Sequence, residues 1–133
     1  MSQENVQAVH RAYETWNADD VEAGLALMHP DIEWHPSGVF PGFEPVYRGH
    51  DGVREWWRAL KEPWEYFVIH VEEVVPRGDV VIADLRFEAV GRESGAEVTL
   101  PFVNVFEFEA GRVTRFSSYR SRAEALEAVG LSE

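Results

Sequence analysis

The stretch Glu97–Tyr119, EVTLPFVNVFEFEAGRVTRFSSY, decides the fold because it encodes two strands joined by a two-residue turn. Its first strand alternates, so successive side chains point to opposite faces of a sheet. One face carries four large apolar side chains and one amide: Leu100, Phe102, Asn104, Phe106 and Phe108. A buried amide needs hydrogen-bond partners from the protein or from a bound molecule. The stripe therefore predicts a sheet face that either packs against helices or forms the wall of a cavity.

Two further long strands precede this stretch. Alternating hydrophobicity predicts them over residues 66–75 and 80–90, with tight turns at PRGD and GRESG. Strands joined by such short turns pair antiparallel. A shorter strand is expected over residues 31–35, where the sequence is too brief for its period to show which face is buried.

Helical spacing fills most of the remaining chain. It predicts a first helix from residue 2 to about residue 16 and a third over 51–61, closed by Pro63. Asp19 and Glu22 predict the start of a short second helix that carries Met28 and ends at His29 before a proline. Ser121 and Glu124 form a capping box for a last helix over 123–129.

This order of elements predicts an α+β fold. We expect a cone: a strongly curved, mixed or antiparallel sheet, three N-terminal helices in its concave face and a short C-terminal helix. The chain has 133 residues, a length that fits one domain over 1–133 and can bury a sizeable core.

Composition excludes several classes of function. The formal net charge is −12, from 24 acidic and 12 basic residues, and it repels phosphate backbones, so no nucleic-acid partner is expected. The absence of cysteine excludes disulfides, thiolate catalysis and cysteine-ligated metals. His29 and His35 fit no metal motif, so neither a metal nor another cofactor is expected. No apolar run approaches ~20 residues and no secretory signal is present, so we expect a cytoplasmic protein without membrane contact.

Aromatic residues are abundant, with five Trp, four Tyr and eight Phe. Such residues line ligand cavities and dimer faces as well as cores. The proline- and glycine-rich segment 36–49, PSGVFPGFEPVYRG, carries several apolar side chains that need something to cover. We expect it to be either a lid over a cavity mouth or a dimer contact.

The chain resembles the nuclear transport factor 2-like superfamily and, within it, the SnoaL-like group. Three strings carry the resemblance: WNADDVEAGLALMHPDIEWHP at 16–36, YRGHDGVREWW at 47–57 and GAEVTLPFVNVFEFEAGRVTRFSSYRSRAEALEAVGL at 95–131. The superfamily contains polyketide cyclases, ketosteroid isomerase, scytalone dehydratase, limonene-epoxide hydrolase and binding or scaffold proteins. The resemblance therefore implies architecture rather than activity. It also implies a homodimer through the outer sheet face.

Comparison with ketosteroid isomerase gives a mixed set of residues. His35-Pro36 stands where the isomerase has its Asp-Pro base, and histidine is a competent base near neutral pH. The position of its first-helix tyrosine falls nearest Ala12, with Tyr13 about 100° round the helix. Asn104 stands closest to its strand aspartate and donates a hydrogen bond without any pKa shift. Ser121 stands where SnoaL-like relatives often carry aspartate.

Two functions follow. In the first, the protein is an enzyme that binds a small, mostly apolar molecule and performs cofactor-free isomerisation, dehydration, cyclisation or epoxide hydrolysis. His35 is then the base, oriented by Glu33, and Asn104 holds an oxyanion or a water. This requires Glu33 and His35 to face the cavity; if Ile32 and Trp34 face it instead, the pair is solvated.

In the second, the protein is a non-catalytic ligand-binding or dimeric scaffold protein, and Asn104 is a core amide satisfied by Tyr13, Tyr119 or a buried water. The expected ligand contacts in either case are Tyr13, Trp16, Trp34, Phe40, Trp57, Phe102 and Tyr119.

Overall fold

The computed structural model describes residues 2–36, 39 and 42–130 of the chain. In this part the elements are α1 Ser2–Asn17, α2 Val21–Leu25, β1 Met28–His35, β2 Tyr47–Arg48, α3 Gly49–Lys61, β3 Trp64–Arg77, β4 Val80–Gly91, β5 Glu97–Glu109, β6 Arg112–Tyr119 and α4 Arg122–Ala128. No helix among these residues is long and apolar enough to cross a membrane.

The strands form one six-stranded sheet in the order β2-β1-β6-β5-β4-β3. The four long strands pair antiparallel in sequence order, as their short turns predict, whereas β1 lies parallel to β6. Ala110 and Gly111 form the turn between β5 and β6, both with positive φ, as a two-residue hairpin turn requires. The predicted α+β fold with a curved mixed sheet is confirmed.

The concave face of the sheet packs on α1 and α3 through the main core. Buried α1 residues recur every three or four positions, at Val9, Ala12, Tyr13 and Trp16, so that one helical face meets the sheet. Both Trp56 and Trp57 of α3 are buried. The inward side of β5 is the stripe that contains Asn104.

The opposite, outer face of the sheet carries a second, smaller core. Its members lie on β4, β5 and α4: Ile82, Val103, Val105, Ala125 and Leu126. Ser121 caps α4 by accepting a hydrogen bond from the Glu124 N–H, as predicted. The C-terminal helix therefore covers part of the outer face instead of joining the other helices.

The second helix differs from its prediction. Asp20, not Asp19, is its N-cap and accepts a hydrogen bond from the Ala23 N–H. The helix ends at Leu25 rather than near Met28, which already belongs to β1. Asp19 instead has a positive φ of 56° and accepts hydrogen bonds from Trp57 Nε1 and Lys61 Nζ, both at 2.8 Å. It thereby joins the α1–α2 turn to α3. Both hydrogen bonds lower the pKa of the Asp19 carboxyl, and the bond from Lys61 has the larger effect.

Asn17 ends α1 and attaches it to the edge of the sheet. The side-chain amide donates to the Ile69 carbonyl and accepts from the Ile69 N–H, both at 2.9 Å. Because β3 is an edge strand, these backbone groups have no strand neighbour on that side. One side chain thus replaces a missing strand partner.

We expect Asn17→Ala to lower the free energy of unfolding by about 1–3 kcal/mol, because it leaves two half-buried backbone groups of Ile69 without partners. Urea unfolding at neutral pH measures the loss. Glu14→Ala, an exposed site on the same helix, is the matched control and should change stability by about 0.5 kcal/mol or less. Equal losses in the two variants would show that the Asn17 amide contributes nothing to the attachment of α1.

Candidate functional site

A small cavity lies between α1, α3 and the concave face of the sheet. Its volume is about 20 Å³, which is room for about one water molecule. Among the described residues, twelve line it: Tyr13, Trp16, Pro36, Phe43, Trp56, Leu60, Ile69, Phe87, Phe102, Asn104, Phe116 and Ser118. Of these only Tyr13, Asn104 and Ser118, apart from the tryptophan N–H groups, bring polar side-chain atoms.

The three polar residues form one hydrogen-bonded group, which we call the polar triad: Tyr13, Asn104 and Ser118. The Asn104 amide donates to the Tyr13 hydroxyl at 2.8 Å, and the Ser118 hydroxyl donates to Asn104 Oδ1 at 2.7 Å. Asn104 and Ser118 are direct cross-strand partners, and Tyr13 reaches them from α1. The triad joins a helix to two strands in an otherwise apolar wall.

The Tyr13 hydroxyl remains protonated at neutral pH. Burial raises its pKa well above the ordinary value for tyrosine, and the hydrogen bond from Asn104 offsets this only in part. No carboxylate, imidazole, amine or guanidinium belongs to the described lining. The wall therefore offers neutral hydrogen-bond donors and acceptors but no base.

Aromatic rings occupy most of the concave side. Trp16 makes edge contacts with Tyr13 and Trp34, at centroid distances of 4.9 and 5.6 Å, and Trp34 stacks on Phe116 at 3.7 Å. The indole N–H groups of Trp16, Trp34 and Trp56 are buried without a hydrogen-bond partner among the described residues. Buried donors of this kind are uncommon and make this region rich in unused hydrogen-bond donors.

His35 lies on the other face of β1. Ile32 and Trp34 are fully buried in the main core on the concave side of the sheet, which turns Glu33 and His35 outward. His35 Nε2 is 3.1 Å from Glu33 Oε1, and neither residue lines the cavity. The structure therefore does not bring His35 and Asn104 together, and of the two orientations that the sequence allowed, it has the one with the pair turned away.

Glu33 belongs to a row of alternating charges on the outer face, Arg48, Glu33, Arg115 and Glu107, which we call the outer charge row. Neighbours in the row are direct cross-strand partners on β2, β1, β6 and β5. The ion-pair distances along it are 3.2, 3.5 and 3.5 Å. The pKa of the Glu33 carboxyl is lowered, first by its hydrogen bond with His35 and then by the nearby Arg48 charge, so Glu33 is ionised at neutral pH.

The other expected ligand contacts are divided by the structure. Tyr13, Trp16 and Phe102 line the cavity, whereas Trp34 packs behind it and Trp57 donates its N–H to Asp19. Tyr119 lies on the outer face, in an open cleft of about 310 Å³ beside α4, because Ser118 takes the inward position on β6. Phe40 lies outside the described residues.

Sequence reasoning missed Ser118, Trp56 and Phe116 as members of this site. The signal for Ser118 and Phe116 was the alternation of β6, which puts these two residues on one face and Arg115, Ser117 and Tyr119 on the other. Which face is inward depends on pairing with β1, which the sequence does not reveal. The described residues hold no cluster of three or more histidine or acidic side chains placed to bind a metal ion.

Comparison with known proteins agrees with this architecture. An NTF2-like protein from Burkholderia pseudomallei is 28% identical, with a TM-score of 0.81 over 96% of this chain and 97% of that chain. TerC, crystallised with polyporic acid, is 24% identical, with a TM-score of 0.80 over 96% of this chain and 98% of its own. A protein described as a SnoaL-like polyketide cyclase from Jannaschia sp. is 19% identical, with a TM-score of 0.80 over 100% and 96%. At these identities, the similarities to TerC and to the Jannaschia protein show only that the fold is shared.

No curated protein matches the chain. The family model for the SnoaL-like domain matches residues 9–116, which run from within α1 into β6 and include Tyr13 and Asn104 of the polar triad. This chain therefore belongs to the SnoaL-like domain family.

Proposed function

We propose that this protein binds a small, mostly apolar molecule in the cone and holds one oxygen atom of that molecule with the polar triad. The observation that carries the proposal is the triad itself, a hydrogen-bonded polar group in the aromatic wall of a cavity. Ligand sites of this type are mostly apolar with a few placed polar groups. TerC, of the same fold, was crystallised with a small molecule, which supports this class of ligand.

Counting hydrogens indicates the chemistry of the ligand's polar end. The triad has four polar hydrogens: one on Tyr13, one on Ser118 and two on the Asn104 amide. Its two internal hydrogen bonds use two of them. Exchanging the amide oxygen and nitrogen of Asn104 changes which hydrogens are used but not how many. Two donors remain in either case, so the site favours an acceptor such as a carbonyl oxygen.

Binding without proton transfer is the function that this geometry favours. An acid/base reaction would need a base within hydrogen-bond reach of the bound molecule. The described lining has none, Tyr13 stays protonated, and His35 is on the outer face. We therefore propose Tyr13, Trp16, Phe102 and Asn104 as ligand contacts and do not propose a catalytic role for His35.

Occupation requires a side chain to move, because about 20 Å³ is far below the roughly 300 Å³ or more of typical ligand sites. Phe43 is the one residue of the described lining that is only half-buried. Its ring lies 6.5 Å from those of Trp56 and Tyr47, at the end of the connection that leads into β2. We propose that the ligand enters by displacing this ring.

A matched set of small aromatics tests the binding proposal. We expect acetophenone to raise the melting temperature more than 1-phenylethanol or ethylbenzene, because only the ketone accepts hydrogen bonds without bringing a donor of its own. An affinity ratio of about ten between ketone and alcohol is expected from one unpaired buried hydrogen. Thermal shift and isothermal titration measure it.

The double variant Tyr13→Phe, Asn104→Leu leaves only the Ser118 hydroxyl, which can donate or accept, and should therefore reduce that ratio to about one. Tyr66→Phe, at an exposed tyrosine, should leave the ratio unchanged. The proposal is wrong if none of the three compounds binds, or if all three bind with equal affinity to the wild type.

We further propose a homodimer through the outer sheet face, favoured by the outer charge row. A two-fold axis between Glu33 and Arg115 would place each of these residues opposite the other in a second copy, and would do the same for Arg48 and Glu107. An alternating row with an even number of charges is thus complementary to itself, as an isologous contact demands. Exposed ion pairs add little affinity, so the row sets orientation more than strength.

Light scattering at micromolar concentration should report a dimer for the wild type. Arg115→Glu should make it monomeric, because Glu33 of each copy would then face an acidic side chain at position 115 of the other. Arg77→Glu makes the same charge change at the exposed end of β3 and should remain dimeric. A wild-type monomer, or a dimer that survives Arg115→Glu, would refute this interface.

A further inference from the structure

Gly24 is the fourth residue of the five-residue helix α2, where it is buried. Glycine is among the least favourable residues inside a helix, so its presence there calls for a reason in packing or backbone geometry. Gly24 is not one of the glycines with positive φ, so backbone geometry does not supply the reason. What remains is close approach by a neighbour.

That neighbour is Trp16. A Cβ atom at Gly24 would lie 2.9 Å from Trp16 Nε1 and 3.0 Å from Thr15 Oγ1. The Thr15 hydroxyl is held by its hydrogen bond to the Ala12 carbonyl at 2.7 Å. The indole N–H of Trp16 has no hydrogen-bond partner among the described residues, so packing alone positions this ring. Any side chain at residue 24 must therefore push the ring.

The direction of that push is set by the other rings. Trp16 is 2% exposed, and its centroid lies 4.9 to 6.5 Å from those of five aromatic neighbours, Tyr13, Trp34, Trp56, Trp57 and Phe106. Because protein interiors are close-packed and hardly compressible, these five rings leave Trp16 little room to move toward them. Trp16 also lines the cavity, so the open space next to it is the cavity itself.

We propose that Gly24 is a specificity-determining position, which acts through Trp16 to set the size of the molecule that the cavity accepts. This rests on the proposed function, since it concerns the same site. Gly24 is not one of the described lining residues; it positions the Trp16 ring, which is. With glycine, the indole withdraws against α2 and the cavity is at its widest. With alanine, the ring moves inward and the cavity narrows.

The test compares two ketones that differ by one fused ring, acetophenone and 2-acetonaphthone. Gly24→Ala should weaken binding of the larger ketone about tenfold more than that of the smaller, the scale of discrimination by one small group in an apolar pocket. Adding Trp16→Phe should restore the wild-type ratio, because the smaller ring no longer meets the new methyl group. Trp16→Phe alone should favour the larger ketone.

Melting temperatures provide a readout that does not depend on ligand. Gly24→Ala should lower the melting temperature, although alanine is the better helix former. The drop should disappear when Trp16→Phe is also present. Ala23→Gly, at the neighbouring exposed position of α2, is the control: it should lower stability slightly and leave the ratio of ketone affinities unchanged.

The outcomes separate the two proposals. If neither ketone binds the wild type, the proposed function fails and the size filter fails with it. If both ketones bind but Gly24→Ala leaves their affinity ratio unchanged, only the role of Gly24 is overturned. If Gly24→Ala does not fold, Trp16→Phe alone decides, and an unchanged ratio in that variant overturns the inference.

Discussion

The hydrogen bond between the Asn104 amide and the Tyr13 hydroxyl is the constraint on which the concave side of this protein depends. It joins residues 91 positions apart, one in the first helix and one in the middle of the central strand. Apolar contacts are not directional, so an aromatic core alone would leave the rotation of α1 loosely defined. A buried polar pair must be satisfied, and this requirement allows one rotation. Trp16, one turn further on, is thereby turned toward Trp34 and α2.

The elements of this arrangement that can be predicted from the sequence are the ones long enough for their hydrophobic pattern to be recognised. Thirteen residues of β5 alternate clearly enough to place Asn104 in an apolar stripe, and α1 repeats long enough to place Tyr13 on its buried face. Tyr13 is among the partners that sequence analysis names for the amide. Ser118 is not, because β6 carries small and polar residues on both faces and its inward side is decided by neighbours.

The first strand, β1, shows why the rest of the site cannot be predicted from the sequence. The sequence predicts this strand over only five residues, Asp31 to His35, which are too few to show which face is buried. The structure decides the matter through a non-local contact: β1 pairs parallel with β6, and Trp34 stacks on Phe116 at an interplanar angle of 8°. Burying two stacked rings outweighs any local preference of a histidine–glutamate pair, which keeps its hydration on the outer face. The same pairing extends the strand back to Met28 and shortens the second helix.

The chemistry of the site follows from what this packing leaves over. Tryptophan and phenylalanine rings fill the cone until about one water's volume remains, and the polar atoms at that point are neutral and mostly donors. A group that must change its protonation state during a reaction needs a pKa near the working pH, which burial here moves out of range for Tyr13. Glu33 and His35 of β1 and Arg115 of β6 stand on the opposite face, where Glu33 pairs with both of the others. This is the composition of the binding site that we propose, with apolar surface to match the shape of a molecule and neutral donors to meet one acceptor.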